Sequence, residues 1–382
     1  MAFSCCGFPV KLRPVFLNCA RSGAHRYNGL NPLSGASMQR RQFIRLSSLA
    51  AGATLLSGCA AIANLSTGPL IARHVPANYS GVVAVRTDAR APLVVHASGL
   101  ALREEKQPIT KDTRFLVGSM TKWITAVTVL RLADMGTLDL DAPISRHLPE
   151  LPAANGAVTL RQLMSNRSGI PNGLAEALRK DRAVEKLEIG PVEAALRFAA
   201  GAPTSAPGER WDYSFTNWIL VAAVVERARK EPFTETVKDT SFAATGYEDE
   251  VGMAVAYNAE GQRKTSSVPP MIAASGTLYS TASDLVKIAD TVYATKLLSD
   301  KARKELSTVV VASEDYALGG KVKTIATKKG ARSLAWEAGA IGAYKTLLAY
   351  DPADGRTVVL LNNTDMQQSE QAKIALALFE DM

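Results

Sequence analysis

The spacing of apolar residues changes period along the chain. Two short β-branched runs, Gly81–Arg86 and Leu93–Ala97, flank a polar stretch containing Pro92, a pattern that predicts an antiparallel hairpin. From Ser119 to about Met135 the spacing turns helical, and Met120, Trp123, Ile124, Val127, Val129, Leu130 and Leu132 spread around most of the circumference. A helix apolar all round is a buried one, and Gly136 suits its C-terminal cap. Further helices are predicted at Leu160–Ser165, Pro191–Ala200, Asn217–Lys230 and Ala282–Ala294. The tail "YKTLLAYDPADGRTVVLLNN" reads as strand, D-G turn and strand, and "SEQAKIALALFED" as a terminal helix. Strands at both ends with helices between predict an α/β fold. Its antiparallel sheet is built from the N- and C-terminal strands and flanked by helices, with a mostly helical insertion at about 119–310.

At 382 residues and 47% hydrophobic composition the chain can bury a full core. The net charge of +8 suggests an acidic partner until its distribution is read. Residues 1–58 carry seven basic residues (Lys11, Arg13, Arg21, Arg26, Arg40, Arg41, Arg45) and no acid, which leaves 37 basic against 36 acidic residues in the rest. A nearly neutral body gives no electrostatic case for nucleic acid. All four cysteines (Cys5, Cys6, Cys19, Cys59) also lie at this end, so the body has neither a disulfide framework nor a cysteine metal cluster. Beyond the leader the only histidines are His74, His96 and His147, and no H-E-x-x-H, G-x-S-x-G or P-loop is present. A hydrolase built from this chain is expected to use a base other than histidine.

Residues 38–59, "MQRRQFIRLSSLAAGATLLSGC", place twin arginines Arg40 and Arg41 before an apolar stretch, Leu46 to Leu56, that is short for a membrane span. This is the layout of a twin-arginine export signal. Its end, "LSGC", resembles a bacterial lipobox, with Cys59 as the lipidated residue and Ala60 implying sorting to the outer membrane. The expectation is a protein on the periplasmic face of the bacterial envelope, held to the membrane through Cys59. Residues 1–37 fit no targeting pattern and read as a non-native extension ahead of a start at Met38. Residues 38–58 read as the signal, 59–75 as a tether, and 76–382 as the folded domain.

Within the helix that opens at Ser119, "GSMTKWITA" sets a serine and a lysine three residues apart, on one face. At the helix N-terminus Ser119 meets unpaired N–H groups and the positive dipole end, which favour a developing alkoxide. Its own N–H is placed to be half of an oxyanion hole. Lys122, facing a dry core, is expected to be pushed toward the neutral amine that a base requires. Taken alone, the pair fits a plainer reading better: an N-capping serine and a lysine snorkelling to the surface.

The surroundings favour chemistry. "VGSMTKWITAVTVLRLADMGTLDLDAPISRHLPELP" resembles the first block of the serine β-lactamase and penicillin-recognising superfamily, in the branch holding class C β-lactamases, D-alanyl-D-alanine carboxypeptidases and family VIII carboxylesterases. "VTLRQLMSNRSGIPNG" resembles the next block, with Asn166 where His is often found. "PGERWDYSFTNWILVAAVVE" resembles the tyrosine block, "SGTLYSTASDLVKIAD" the stretch after it, and "EAGAIGAYKTLLAYDPADGRTVVLLNN" the final strand pair. The resemblance runs in family order from about residue 80 to the C-terminus. It implies the β-lactamase-like fold, with Ser119 as nucleophile, Lys122 as base and Tyr213 sharing the base or relay role. A phenol beside a lysine ammonium is expected to be pulled toward phenolate. The N–H groups of Ser119 and Ala340 are the implied oxyanion hole, and no metal or organic cofactor is implied.

Three departures bear on substrate. The second box, Tyr-x-Asn in the family, is Tyr213-Ser214-Phe215, so the asparagine is replaced by Phe215, and Asn217 falls inside the next helix. The third box, Lys-Thr-Gly or His-x-Gly, is Glu337-Ala338-Gly339, so Glu337 would repel a substrate carboxylate. Gly339 would let backbone approach substrate, and Trp336 stands one residue before the place of the Trp in the Trp-Gly-Gly box of some family esterases. "VERARKEPFTETVKDTSF" is about a helix shorter than its family counterpart, which trims the cleft wall. The expected function is a serine hydrolase forming an acyl-enzyme on Ser119, esterase-like on uncharged ester or amide carbonyls, with a small-molecule substrate. Rival readings are a β-lactamase or D-alanyl carboxypeptidase, and a non-catalytic envelope lipoprotein that binds a ligand or partner. Oligomeric state is not legible.

Overall fold

The computed structural model describes residues 67–238, 246–247, 252–264, 268–327 and 330–382. The extension expected over 1–37, the export signal expected over 38–58 and Cys59 lie outside the described residues. Six strands form one sheet: β1 (Gly81–Arg86), β2 (Val94–Ser98), β3 (Lys321–Thr327), β4 (Gly330–Ile341), β5 (Tyr344–Tyr350) and β6 (Thr357–Asn362). Their order is β2-β1-β6-β5-β4-β3, with every neighbouring pair antiparallel. The first and last strands in sequence meet in the middle, where Gly81 pairs with Asn362 and Arg86 with Thr357.

Strand side chains alternate between faces, and here both faces are covered. Val82, Ala84, Val359 and Leu361 join the core beneath the helical insertion. Val83, Val85, Val358 and Leu360 join a second cluster on the other face. That second cluster is closed by α1 (residues 67–74), through Ile71, and by a C-terminal helix, Gln368–Asp381, through Ile374, Leu378 and Phe379. The tether expected over 59–75 is therefore helical over 67–74, because Ile71 has an apolar face of the sheet to bury against.

The insertion is organised around α2 (Met120–Asp134) and α3 (Phe215–Arg229), with α4 (Ala282–Ala294) lying against β1 and β6. Twelve α2 residues are buried, from Met120 through Leu130 and Leu132, as the all-round apolar pattern requires. Burying each large aliphatic side chain there contributes about 1.5–3 kcal/mol relative to leaving it exposed. Gly136 closes the helix in the left-handed region (φ 74°), its N–H donating to Ala133 O at 2.9 Å. α4 is pinned to the sheet by Arg86, whose guanidinium donates to both carboxylate oxygens of Asp290, at 2.7 and 2.5 Å.

Candidate active site

Ser119 stands where three pieces of chain meet, and two glycines let them meet. Gly118 is left-handed (φ 56°), and a Cβ on it would lie 2.8 Å from Ala340 N. A Cβ on Gly339 would overlap the Val117 carbonyl oxygen, which already accepts a hydrogen bond from Thr346 Oγ1 at 2.8 Å. The lead-in to α2 is thereby pressed against the end of β4, and Ser119 and Ala340 line the same cleft. Gly339 serves this approach of backbone to backbone, where sequence suggested an approach of backbone to substrate.

Ser119 occupies the cap position of α2, yet its side chain makes no capping bond. Its Oγ instead accepts hydrogen bonds from Lys122 Nζ at 3.2 Å and from the Tyr213 hydroxyl at 2.9 Å. Lys122 does not snorkel: it is 1% exposed, one turn into a buried helix. Its Nζ also donates to the Ser275 carbonyl at 2.6 Å and lies 4.9 and 5.2 Å from the ring centroids of Tyr213 and Phe215. Desolvation in this apolar setting lowers its pKa from 10.5 to about 7. A sizeable fraction is thus neutral amine near pH 7. Ser275 comes from a short helix, Ala273–Gly276, held on α2 by the Thr125 hydroxyl bonding Ala274 O at 3.0 Å. A backbone carbonyl carries no sequence signature, and this partner of Lys122 was not legible.

Tyr213 corrects an expectation. The residue is 36% exposed, while its hydroxyl reaches Ser119. Its pKa is raised to about 12, first by burial, against the lowering effect of the hydrogen bond to Ser119. The pull toward phenolate fails because it needs a charged lysine, and Lys122 is itself driven toward neutrality. Tyr213 is a neutral phenol that donates to Ser119.

Phe215, the first residue of α3, puts an apolar wall where the resemblance implies an amide. Asn217 does not replace that amide, since its side chain bonds Ser168 Oγ at 2.7 Å and Asn166 Oδ1 at 3.3 Å. Glu337 is 4% exposed, on the face of β4 that meets α2, with its carboxylate packed against Gly320. Burial pushes its pKa well above the ordinary carboxyl value. The repulsion expected from an accessible Glu337 carboxylate is therefore absent, because the group is buried and favours its neutral form. Trp336 points the opposite way along the strand and packs in the cluster under the C-terminal helix, far from the part it would play in an esterase third box.

The cleft has a volume of about 520 Å3. Its walls are largely apolar, with Leu174, Leu178, Phe215, Met271, Ile272 and Ile341 around Ser119 and Ala340. Two cationic residues border it, Lys264 and Arg182, and each lies beside an acid: Lys264 bonds Asp365 at 2.8 Å and Arg182 approaches Glu185 at 3.8 Å.

This antiparallel sheet with its helical insertion, bearing serine, lysine and tyrosine at the junction, defines a member of the serine β-lactamase and penicillin-recognising superfamily. The chain belongs to the beta-lactamase family, whose sequence model matches residues 71–380. Esterase EstB of Burkholderia gladioli is 38% identical to it over 171 residues, 41% of this chain and 43% of that protein, so the match spans less than half of either. Its fold is similar to that of a penicillin binding protein from Bacillus halodurans, with a TM-score of 0.69 at 23% identity, covering 82% of this chain and 98% of that one. A D-stereospecific amidohydrolase from Streptomyces sp. shares the fold with a TM-score of 0.65 at 23% identity, covering 83% and 98%.

Proposed function

We propose that the protein is an esterase-like serine hydrolase acting on uncharged carbonyl substrates whose larger group is apolar. The observation that carries this reading is Ser119 Oγ, released from helix capping and bonded to a buried lysine whose pKa is about 7. Neutral Lys122 takes the Ser119 proton as Oγ bonds the carbonyl carbon. The carbonyl oxygen becomes an oxyanion held by the N–H groups of Ser119 and Ala340. As the tetrahedral intermediate collapses, the bond to the leaving oxygen breaks and that oxygen takes the Tyr213 proton, which the Lys122 ammonium then restores. Water enters by the same route in reverse and frees the acid, returning Ser119 its proton.

Substrate class follows from the walls. A carboxylate-bearing β-lactam or peptide terminus finds no cation at the third box, and the cleft's bordering cations already face acids. An apolar acyl or aryl group finds Phe215, Met271 and Ile341. The leader supports an envelope location with a lipid on Cys59. The test is a substrate panel: short p-nitrophenyl esters are expected to turn over at least tenfold faster than a chromogenic cephalosporin. The reverse ranking would support the β-lactamase reading, and turnover of neither with retained ligand binding would support a non-catalytic binder.

A further inference from the structure

Tyr213 lies on the segment between Gly208 and α3, outside any helix or strand, yet its hydroxyl must hold one place beside Ser119. The segment is laid along residues 166–169. Gly208 N donates to Arg167 O at 2.6 Å, the Arg167 guanidinium donates to Gly208 O, and Thr204 N donates to Gly169 O at 2.8 Å. At the active-site end of this seam one residue brackets Tyr213. Asp212 N donates to the main-chain oxygen of Asn166 at 2.8 Å, and Ser214 N donates to its side-chain Oδ1 at 3.3 Å. Oδ1 also accepts from Asn217 Nδ2 in α3, so the same atom ties the loop to the helix it leads into.

Asn166 is suited to the place. It is 1% exposed and left-handed (φ 54°), a conformation that asparagine tolerates better than most residues. The capping box of Thr159 and Gln162 seats the short helix Leu160–Met164 directly before it. Its Oδ1 takes two donors, while its side chain also meets the Tyr316 hydroxyl, whose pKa the contact lowers against a larger rise from burial. The acceptor is the atom that ties the chain on either side of Tyr213.

We propose that Asn166 is a positioning residue for catalysis: by accepting hydrogen bonds from the chain on both sides of Tyr213, it holds the phenol donor on Ser119. The inference rests on the reading of Tyr213 as the proton relay, and acts through it alone. Asn166→Gly keeps the left-handed backbone and removes Oδ1, whereas Asn166→Asp keeps an acceptor there.

The test is a double-variant cycle on ester hydrolysis in the full-length protein, with folding checked by thermal unfolding. Tyr213→Phe is expected to lower kcat by about 100-fold or more. Asn166→Gly is expected to lower kcat by about 10- to 100-fold with KM little changed, as misplacement of a catalytic group does. Adding Asn166→Gly to Tyr213→Phe is expected to cost nothing further, because both remove the same function. Asn166→Asp is expected to recover most of the rate lost in Asn166→Gly. An equal loss from Asn166→Gly with and without the phenol would overturn the proposal while leaving Tyr213 as relay. So would a loss carried by KM alone, or an Asn166→Asp variant as slow as Asn166→Gly. A Tyr213→Phe variant as fast as wild type would instead sink the relay reading, and the proposal with it.

Discussion

The two sides of the cleft are made differently. On the α2 side, Ser119 and Lys122 are fixed by a helix buried all round, and dryness sets the charge: Lys122 has no paired carboxylate among the described residues, and desolvation lowers its pKa to about 7. The recognition positions differ: Phe215 lines the cleft where the family resemblance leads one to expect an amide, and Glu337 is buried where it leads one to expect a cation. Activation requires a few atoms at fixed distances, so its residues are not freely exchangeable. Recognition is set by the walls, which can change polarity without moving the nucleophile.

That contrast can be broken most forcefully from the α2 side. Ser119→Ala is expected to reduce ester hydrolysis by on the order of 10^4-fold or more, measured as kcat. Lys122→Met is expected to cost about 10^2- to 10^4-fold in kcat while making the fold more stable. The reason is a proton: between about pH 7 and 10.5 the unfolded chain holds the one that folded Lys122 has released. Wild-type stability should therefore rise with pH across that window, by on the order of 5 kcal/mol in full, and fall as pH drops through 7. Denaturation series at several pH values should show this slope in wild type and its loss in Lys122→Met.

The recognition side should respond more gently. Phe215→Asn restores an amide, and penicillin acylation, followed by intact mass, is expected to rise by about 10-fold while hydrolysis of apolar esters falls. Smallest of all is Glu337→Gln, expected to change kcat at pH 7 by less than about twofold, because the side chain is buried outside the cleft lining and burial favours its neutral form. Its signature is in stability. A raised carboxyl pKa favours folding below the ordinary 4.5 and loses that benefit as pH rises, and Glu337→Gln should remove this decline.

Much of the frame was legible. The helix Ala282–Ala294 falls at the expected residues, because Thr281 caps it and its apolar stripe has a helical period. The hairpin at β1 and β2, the buried α2 and the closing strand pair were equally plain in their patterns. Strand β3, "KVKTIAT", was missed: it is an edge strand whose polar residues give it no apolar run. The site was legible in its residue types and misread in its charges. Tyr213 was expected to lean on a lysine ammonium, and Glu337 to repel a substrate carboxylate, because sequence carries no depth. Depth decides both, since burial drains the charge from Lys122 and from Glu337 alike.

The most direct test of the central claim, that buried Lys122 activates Ser119, is the pH dependence of fluorophosphonate labelling followed by intact mass, beside Ser119→Ala. A single adduct is expected, absent from Ser119→Ala, forming faster as pH rises through about 7. Folded wild-type protein that takes no adduct, an adduct that persists in Ser119→Ala, or a labelling rate indifferent to pH between 6 and 8 would contradict it.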